Sequence, residues 1–206
     1  MNQIALPLAW PAEEQGEFLV VESNARAVRM LEHWATWPVR TAVLGGPPKS
    51  GRSLLGRIFA ARSGGWVIDD ADAIDEGTLF HAWNRAQEER RPLLLIASAV
   101  APAWQVSLPD LRSRLAASPA ATIGAPEETL MSALFERGFA RRHLEARADL
   151  IAWLTARTER SHTAVMDTID TLDRAALAGR RRLTIPLARE TLDLDKTARN
   201  RSDFRS

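Results

Sequence analysis

A run of small and apolar residues, TAVLG (Thr41 to Gly45), passes into a loop of glycine and proline and then into a segment of helical periodicity. This junction restricts the fold more than any other feature of the chain. An uninterrupted apolar run of this length reads as a strand buried on both faces, and the glycines after it mark a tight turn. Leu54, Leu55, Ile58 and Phe59 then recur at the spacing of one helix face. Between strand and helix stand Gly46, Pro47, Pro48, Lys49, Ser50, Gly51, Arg52 and Ser53. The pattern is that of a phosphate-binding loop in every position but one, with Arg52 where lysine is usual. Glycine lets the backbone approach a phosphate, free N–H groups at the helix start point at the anion, and the helix dipole adds to the attraction. Ser53 sits where a hydroxyl would ligate magnesium. Pro47 and Pro48 remove two donors, so the cradle rests on the amides from Lys49 to Ser53. The planar fork of Arg52 cannot replace a compact ammonium without changing the geometry, which makes hydrolysis at this loop doubtful. A glycine-rich turn that holds no ligand is the alternative.

Downstream, GGWVIDD, RPLLLIAS and ATIGAP read as further strands, the first two as buried, with a helix from about Glu76 to Arg90 between the first two. A helix from Asn24 to about Trp34 precedes the set and is closed by Pro38. Apolar strands alternating with helices imply a parallel sheet covered on both faces, an α/β fold. Asp69 and Asp70 close the strand WVID, where one carboxylate would hold magnesium and its neighbour would orient an attacking water. Such a pair also serves as a simple helix-capping turn. Asp70 has a shorter reach than the glutamate common at that place.

From Pro126 the pattern turns wholly helical. PEETLMSALFERG has proline at the first turn and Gly138 as a stop, followed by helices from about Ala146 to Thr158 and from Ser161 to Ala178 and by a short one from Thr184. The expected organisation is an arm over residues 1–16, an α/β domain over 17–125, a small all-helical lid over 126–196 and a frayed tail over 197–206.

The charge balance, 27 basic against 26 acidic side chains, gives a net charge of +1 and argues against autonomous nucleic-acid binding. Zero cysteine excludes a disulfide scaffold and a thiolate metal site. No apolar stretch is long enough for a membrane span, and the N-terminal residues lack the basic start of a secretory signal. The expectation is a cytoplasmic protein. His81, His143 and His162 share no metal-ligand spacing, and Ser50 and Ser53 have no histidine partner for a hydrolase triad. Trp34, Trp66, Trp83, Trp104 and Trp153 sit in apolar stretches and read as core.

Several segments resemble the DnaA-related branch of the AAA+ P-loop ATPases. FLVVESNARA (Phe18 to Ala27) is similar to the F-V-x-G-x-S-N stretch that contributes to the adenine pocket in that family, with Asn24 at its asparagine. FHAWN (Phe80 to Asn84) resembles its F-F-H-x-F-N helix. LLLIAS places Ser98 at the sensor-1 position, and LPDLRSRL places Arg114 at the arginine-finger position. Within the family the chain is most similar to the short Hda-type regulators: it ends after LTIPLARETL, its loop reads GRS, and Gln3, Ile4, Ala5, Leu6, Pro7 and Leu8 resemble the Q-L-x-L-P-L peptide that holds the sliding clamp. Met166 falls where the sensor-2 arginine would stand, so poor discrimination between ATP and ADP is expected, with Met166 packing in the lid core.

The resemblance implies an AAA+ fold with a five-stranded parallel sheet and a helical lid. It implies ADP or ATP with Mg2+ as cofactor: Asn24, Gly46, Lys49, Ser50, Gly51, Arg52 and Ser53 on the nucleotide, Ser53 and Asp69 on the metal, and Asp70 and Ser98 near the γ-phosphate. The implied partners are the initiator DnaA and the β clamp of DNA polymerase III, reached by Gln3, Ile4, Leu6, Pro7 and Leu8, with DNA met only through the clamp and a homo-oligomer possible. The cell address would be the bacterial nucleoid, by way of the replisome. The implied function is negative regulation of replication initiation, Arg114 being delivered in trans to ATP held by DnaA. A self-sufficient AAA+ ATPase acting as loader or remodeller is the alternative, and a nucleotide-free scaffold is a third reading.

Overall fold

The computed structural model describes residues 18–192. Gln3, Ile4, Leu6, Pro7 and Leu8 lie outside the described residues. The chain divides into two compact units, Met1–Gly124 and Ala125–Ser206.

The first unit runs α1 (Glu22–Glu32), β1 (Thr41–Gly45), α2 (Arg52–Ser63), β2 (Trp66–Ile68), α3 (Glu76–Glu88), β3 (Leu93–Ala97), α4 (Pro109–Ala117) and β4 (Ala120–Thr122). The strands form one parallel sheet in the order β2-β3-β1-β4. Successive side chains of a strand face opposite ways, and the two sides of this sheet are accordingly covered by different helices. Ala42, Leu44, Leu94 and Ile96 pack with Ala27, Val28 and Leu31 of α1 and Leu55 and Phe59 of α2. Val43, Leu93 and Leu95 pack on the other side with Leu79 and Ala86 of α3 and Leu111 and Leu115 of α4. All five residues of β1 and of β3 are buried, which explains why both read as continuous apolar runs. Gly56 lets α2 lie close on the sheet, since a Cβ there would stand 2.6 Å from Cδ1 of Ile96.

Two strand expectations are corrected. The sheet has four strands among the described residues, not five: α2 reaches β2 through Gly64 and Gly65 alone, too short for another parallel strand with its crossover. GGWVIDD yields only the three residues of β2, and these are half-buried rather than buried because β2 is an edge strand.

The second unit is helical: α5 (Glu128–Ala140), α6 (Ala148–Thr155), α7 (His162–Gly179) and a last helix over residues 185–192. Its core is built on Phe135 and Phe139, stacked with centroids 6.1 Å apart, together with Leu150, Leu154, Val165, Ile169, Leu172 and Leu187. Ser161 caps α7, its hydroxyl accepting from the N–H of Ala164 at 3.1 Å. Gly138 does not stop α5, and the helix runs through it. A Cβ at this position would meet Cδ1 of Ile169 at 2.4 Å, so the glycine serves close packing of α5 on α7 rather than termination. Pro126 falls outside the first turn, Glu127 being the residue before the helix. Met166 packs against this core, half-buried.

Candidate functional site

The pairing of β1 with β3 builds the site. Their register runs from Thr41 opposite Leu93 to Gly45 opposite Ala97, so both strands end together and the loop after β1 lies beside Ser98. The N–H of Gly46 donates to the carbonyl of Ser98 at 3.3 Å. The loop then turns through Lys49 (φ 60°) and Gly51 (φ 89°), two left-handed residues, and α2 begins at Arg52. Glycine is required at position 51 on two counts: the positive φ, and the ring of Phe18, which stands 3.0 Å from where a Cβ would be. That contact brings the FLVVESN segment against the phosphate loop. Asn24 is buried in the same segment, where its amide nitrogen donates to the carbonyl of Leu19 at 2.8 Å and its Oδ1 accepts from the N–H of Val21 at 2.9 Å. Its polar atoms thus shape the turn that carries Phe18.

Arg52 opens α2 and its guanidinium donates to the carbonyl of Ala97 at the end of β3. One residue further on, Ser98 donates twice to Oδ2 of Asp72, through its N–H at 2.8 Å and through its hydroxyl. Burial alone would raise the Asp72 pKa. The two Ser98 hydrogen bonds, its own amide and the charge of Arg52 outweigh this and hold the carboxyl below the ordinary carboxylate range. Arg52, Ser98 and Asp72 therefore form one polar cluster beside the phosphate loop. Asp72 was not singled out in the sequence. The available signal was its place three residues after Asp69, in the short 3-10 turn Ala71–Ala73 that follows β2.

Asp69 and Asp70 are exposed at the end of β2. The N–H of Asp70 donates to Oδ1 of Asp69 at 3.0 Å, and Asp70 itself is left-handed with φ 48°. The cap of α3 is Asp75, accepting from the N–H of Thr78 at 2.9 Å, so neither member of the pair caps that helix. Ser53 is exposed on the first turn of α2. Among the described residues no cluster of three or more His, Cys, Asp or Glu side chains could hold a metal on its own. Ser53 and Asp69 could serve a magnesium ion only as two ligands alongside phosphate oxygens. The loop itself suits an anion: it starts a helix, its glycines leave the backbone bare, and the buried Ser50 hydroxyl has no hydrogen-bond partner among the described residues.

Arg114 is placed elsewhere, on α4. Its guanidinium lies 4.3 Å from the ring centroid of Phe80 and 4.7 Å from that of Trp83, both on α3. Arg112, two residues earlier, is exposed. The expectation that the tryptophans are core holds in part: Trp34, Trp66, Trp104 and Trp153 pack against the core clusters from their rim. Trp37 is buried, whereas Trp34, Trp66, Trp83, Trp104 and Trp153 are half-buried. Arginines cover three of them: Arg85 and Arg91 lie on Trp66, Arg114 on Trp83 and Arg157 on Trp153. In a chain whose basic residues are nearly all arginine, the planar guanidinium makes such stacking available at the rim of the core.

The placement of Asp72 makes one outcome measurable. Phosphate approaching the loop would meet the Arg52 charge partly offset by the Asp72 carboxylate. For the nucleotide that the loop is expected to hold, Asp72→Asn will raise the affinity several-fold, about threefold to tenfold for the loss of one nearby like charge in a partly exposed site, measured by titration with a fluorescent ADP analogue. Acidification acts in the same direction: the restraint is complete above the ordinary carboxylate range and is released as pH falls through the lowered Asp72 pKa.

Comparison with known proteins adds five findings. The family model described as "Hda, lid domain" matches residues 127–192. An uncharacterized protein of Haemophilus influenzae is 30% identical over 138 residues, which are 62% of this chain and 58% of that protein, so the chain spans little more than half of this curated relative. Domain III of the replication initiation protein DnaA from Thermotoga maritima matches with a TM-score of 0.73 at 12% identity, over 85% of this chain and 93% of that one. AMPPCP-bound DnaA from Aquifex aeolicus matches with a TM-score of 0.62 at 14% identity, over 79% and 65% of the two chains. The RuvB Holliday junction branch migration motor of Thermotoga maritima gives 0.62 at 13% identity, over 85% and 70%. At these identities the likeness to the solved structures is one of fold: an AAA+ α/β unit followed by a helical lid. No helix among the described residues is long and apolar enough to cross a membrane.

Proposed function

We propose, for a chain that is a DnaA-related AAA+ protein with an Hda-type lid, that it restrains the initiation of chromosome replication by promoting hydrolysis of ATP held by DnaA. The residues of its N-terminal arm, Gln3, Ile4, Leu6, Pro7 and Leu8, dock it on the β sliding clamp. Leu6 and Leu8 would fill pockets of an apolar groove on the clamp, with Gln3 bonding at its rim. Arg114 is then presented across the interface to the γ-phosphate, where a guanidinium neutralises developing charge.

The observation that carries this reading is the side chain of Arg114, stacked on two rings and half-exposed on α4. Arg52 and Ser98 stand in contrast, both engaged with protein acceptors, the Ala97 carbonyl and the Asp72 carboxylate. Gly46, Lys49, Ser50, Gly51, Arg52 and Ser53 would hold the phosphates of ADP or ATP, with Ser53 and Asp69 on Mg2+ and Phe18 packed against the loop. The exposed Asp69 and Asp70 at the end of β2 favour a second reading, a self-sufficient ATPase, with Asp70 orienting water. Turnover by the isolated protein supports that second reading.

The test is hydrolysis of ATP bound to purified DnaA, with the clamp loaded on DNA, in the presence and absence of this protein. Stimulation is expected, and it will be lost when Gln3, Leu6 and Leu8 are replaced together by alanine, along with clamp binding. No stimulation by wild-type protein that binds the clamp overturns the proposal.

A further inference from the structure

Phe80 and Trp83 are three residues apart on α3, so their rings lie one above the other on the same face of the helix. Both are half-buried, and the Arg114 guanidinium lies over both. The arrangement is closed by Ser118, buried at the end of α4. Its hydroxyl accepts from Nε1–H of Trp83 at 3.2 Å and donates to the carbonyl of Arg114 at 2.9 Å. One hydroxyl thus fixes both the ring that carries the guanidinium and the backbone from which that arginine projects.

The other stacked arginines differ in one respect. Arg85 spends its Nε–H on Glu89, Arg91 spends its own on the carbonyl of Gly64, and Arg157 donates to the carbonyl of Trp153. Among the described residues the Arg114 guanidinium donates to no protein acceptor. A guanidinium held by aromatic faces keeps its five N–H donors in its own plane, directed past the rings. An arginine side chain that is free to rotate would have to lose its rotamer freedom on meeting a phosphate, whereas one already stacked has lost it beforehand.

We infer that Phe80 and Trp83 are positioning residues for Arg114, holding its guanidinium by two ring faces so that its N–H edge is free for the γ-phosphate of a nucleotide bound by the partner. The inference rests on the proposed delivery of Arg114 in trans and assigns its orientation to α3. Two measurements test it. In isotopically labelled protein the Arg114 δ-methylene and Nε–H resonances will be displaced upfield by the two rings, and in the variant carrying both Phe80→Leu and Trp83→Leu they will return toward the values of a free arginine. In the clamp-dependent assay the same variant will lower the maximal rate of DnaA-bound ATP hydrolysis on the order of tenfold, the combined effect of two partly exposed ring contacts, while the concentration giving half-maximal stimulation stays unchanged. Phe80→Tyr with Trp83→Phe keeps two faces and will retain most of the rate, which separates stacking from mere folding of α3.

Unshifted Arg114 resonances in the wild type, or a leucine variant as active as the wild type while Arg114→Ala is inactive, overturns the inference and leaves the proposed function standing. If Arg114→Ala is as active as the wild type, the proposed function fails and the positioning role fails with it.

Discussion

Under the proposed function, alanine at Arg114 will return hydrolysis of DnaA-bound ATP to the rate found without this protein. Arginine fingers delivered in trans are worth about 10³ to 10⁵ in rate, so the variant will forfeit whatever stimulation the wild type provides. Clamp binding will not change, because the arm residues assigned to the clamp are Gln3 to Leu8. The fold will hold as well, since Arg114 is half-exposed and its loss opens no cavity in the sheet core. Arg114→Lys is the sharper control: it keeps the charge but has neither the planar fork nor the face that lies on Phe80 and Trp83, and it will recover only a small part of the activity. Single-turnover hydrolysis of preloaded, labelled ATP is the measurement.

The second large effect concerns stability. Phe135→Ala in α5 will cost about 3–5 kcal/mol, the usual range for removing a fully buried phenylalanine. Phe135 has no exposed surface and stacks on Phe139 in a core that, among the described residues, is drawn from the chain after residue 125. Set against the ~5–15 kcal/mol that holds an ordinary domain together, this brings the lid close to unfolding. Native-state hydrogen exchange will register the change as lost protection in α5, α6 and α7. The amides of β1 and β3, which belong to the other unit, will keep theirs.

The features legible in the sequence were those that depend on neighbours along the chain. β1 and β3 could be read because both faces of each are buried, so every residue carries the signal. The Ser161 cap of α7 is likewise a local matter. The sequence misleads where a residue answers to something distant. Gly138 looks like a helix stop until Ile169 of α7 is placed against it. β2 looked buried because its residues are apolar, but an edge position leaves Trp66, Val67 and Ile68 half-covered, with arginines on the indole supplying part of the cover. At the site, the loop from Gly46 to Ser53 was legible as a motif. The partner of Ser98 was not, because Asp72 meets it only once β2 and β3 are side by side. The aromatic pair under Arg114 was visible only as part of a family resemblance; its contact with α4 required the packing of two helices.

The order of strands in the sheet also sets a timetable. Val43 on β1 pairs with Leu95 on one side and with Ala120 on the other, so the first strand to be synthesised stays without its second neighbour until nearly the whole α/β unit has been made. Parallel pairings between remote segments form slowly, because the intervening chain has to be closed before any contact repays it. The lid is made of consecutive helices packing on one another and escapes this delay. Although it is translated after the sheet, the lid will fold quickly, and the sheet that carries the phosphate loop will be the slow step in the maturation of the protein.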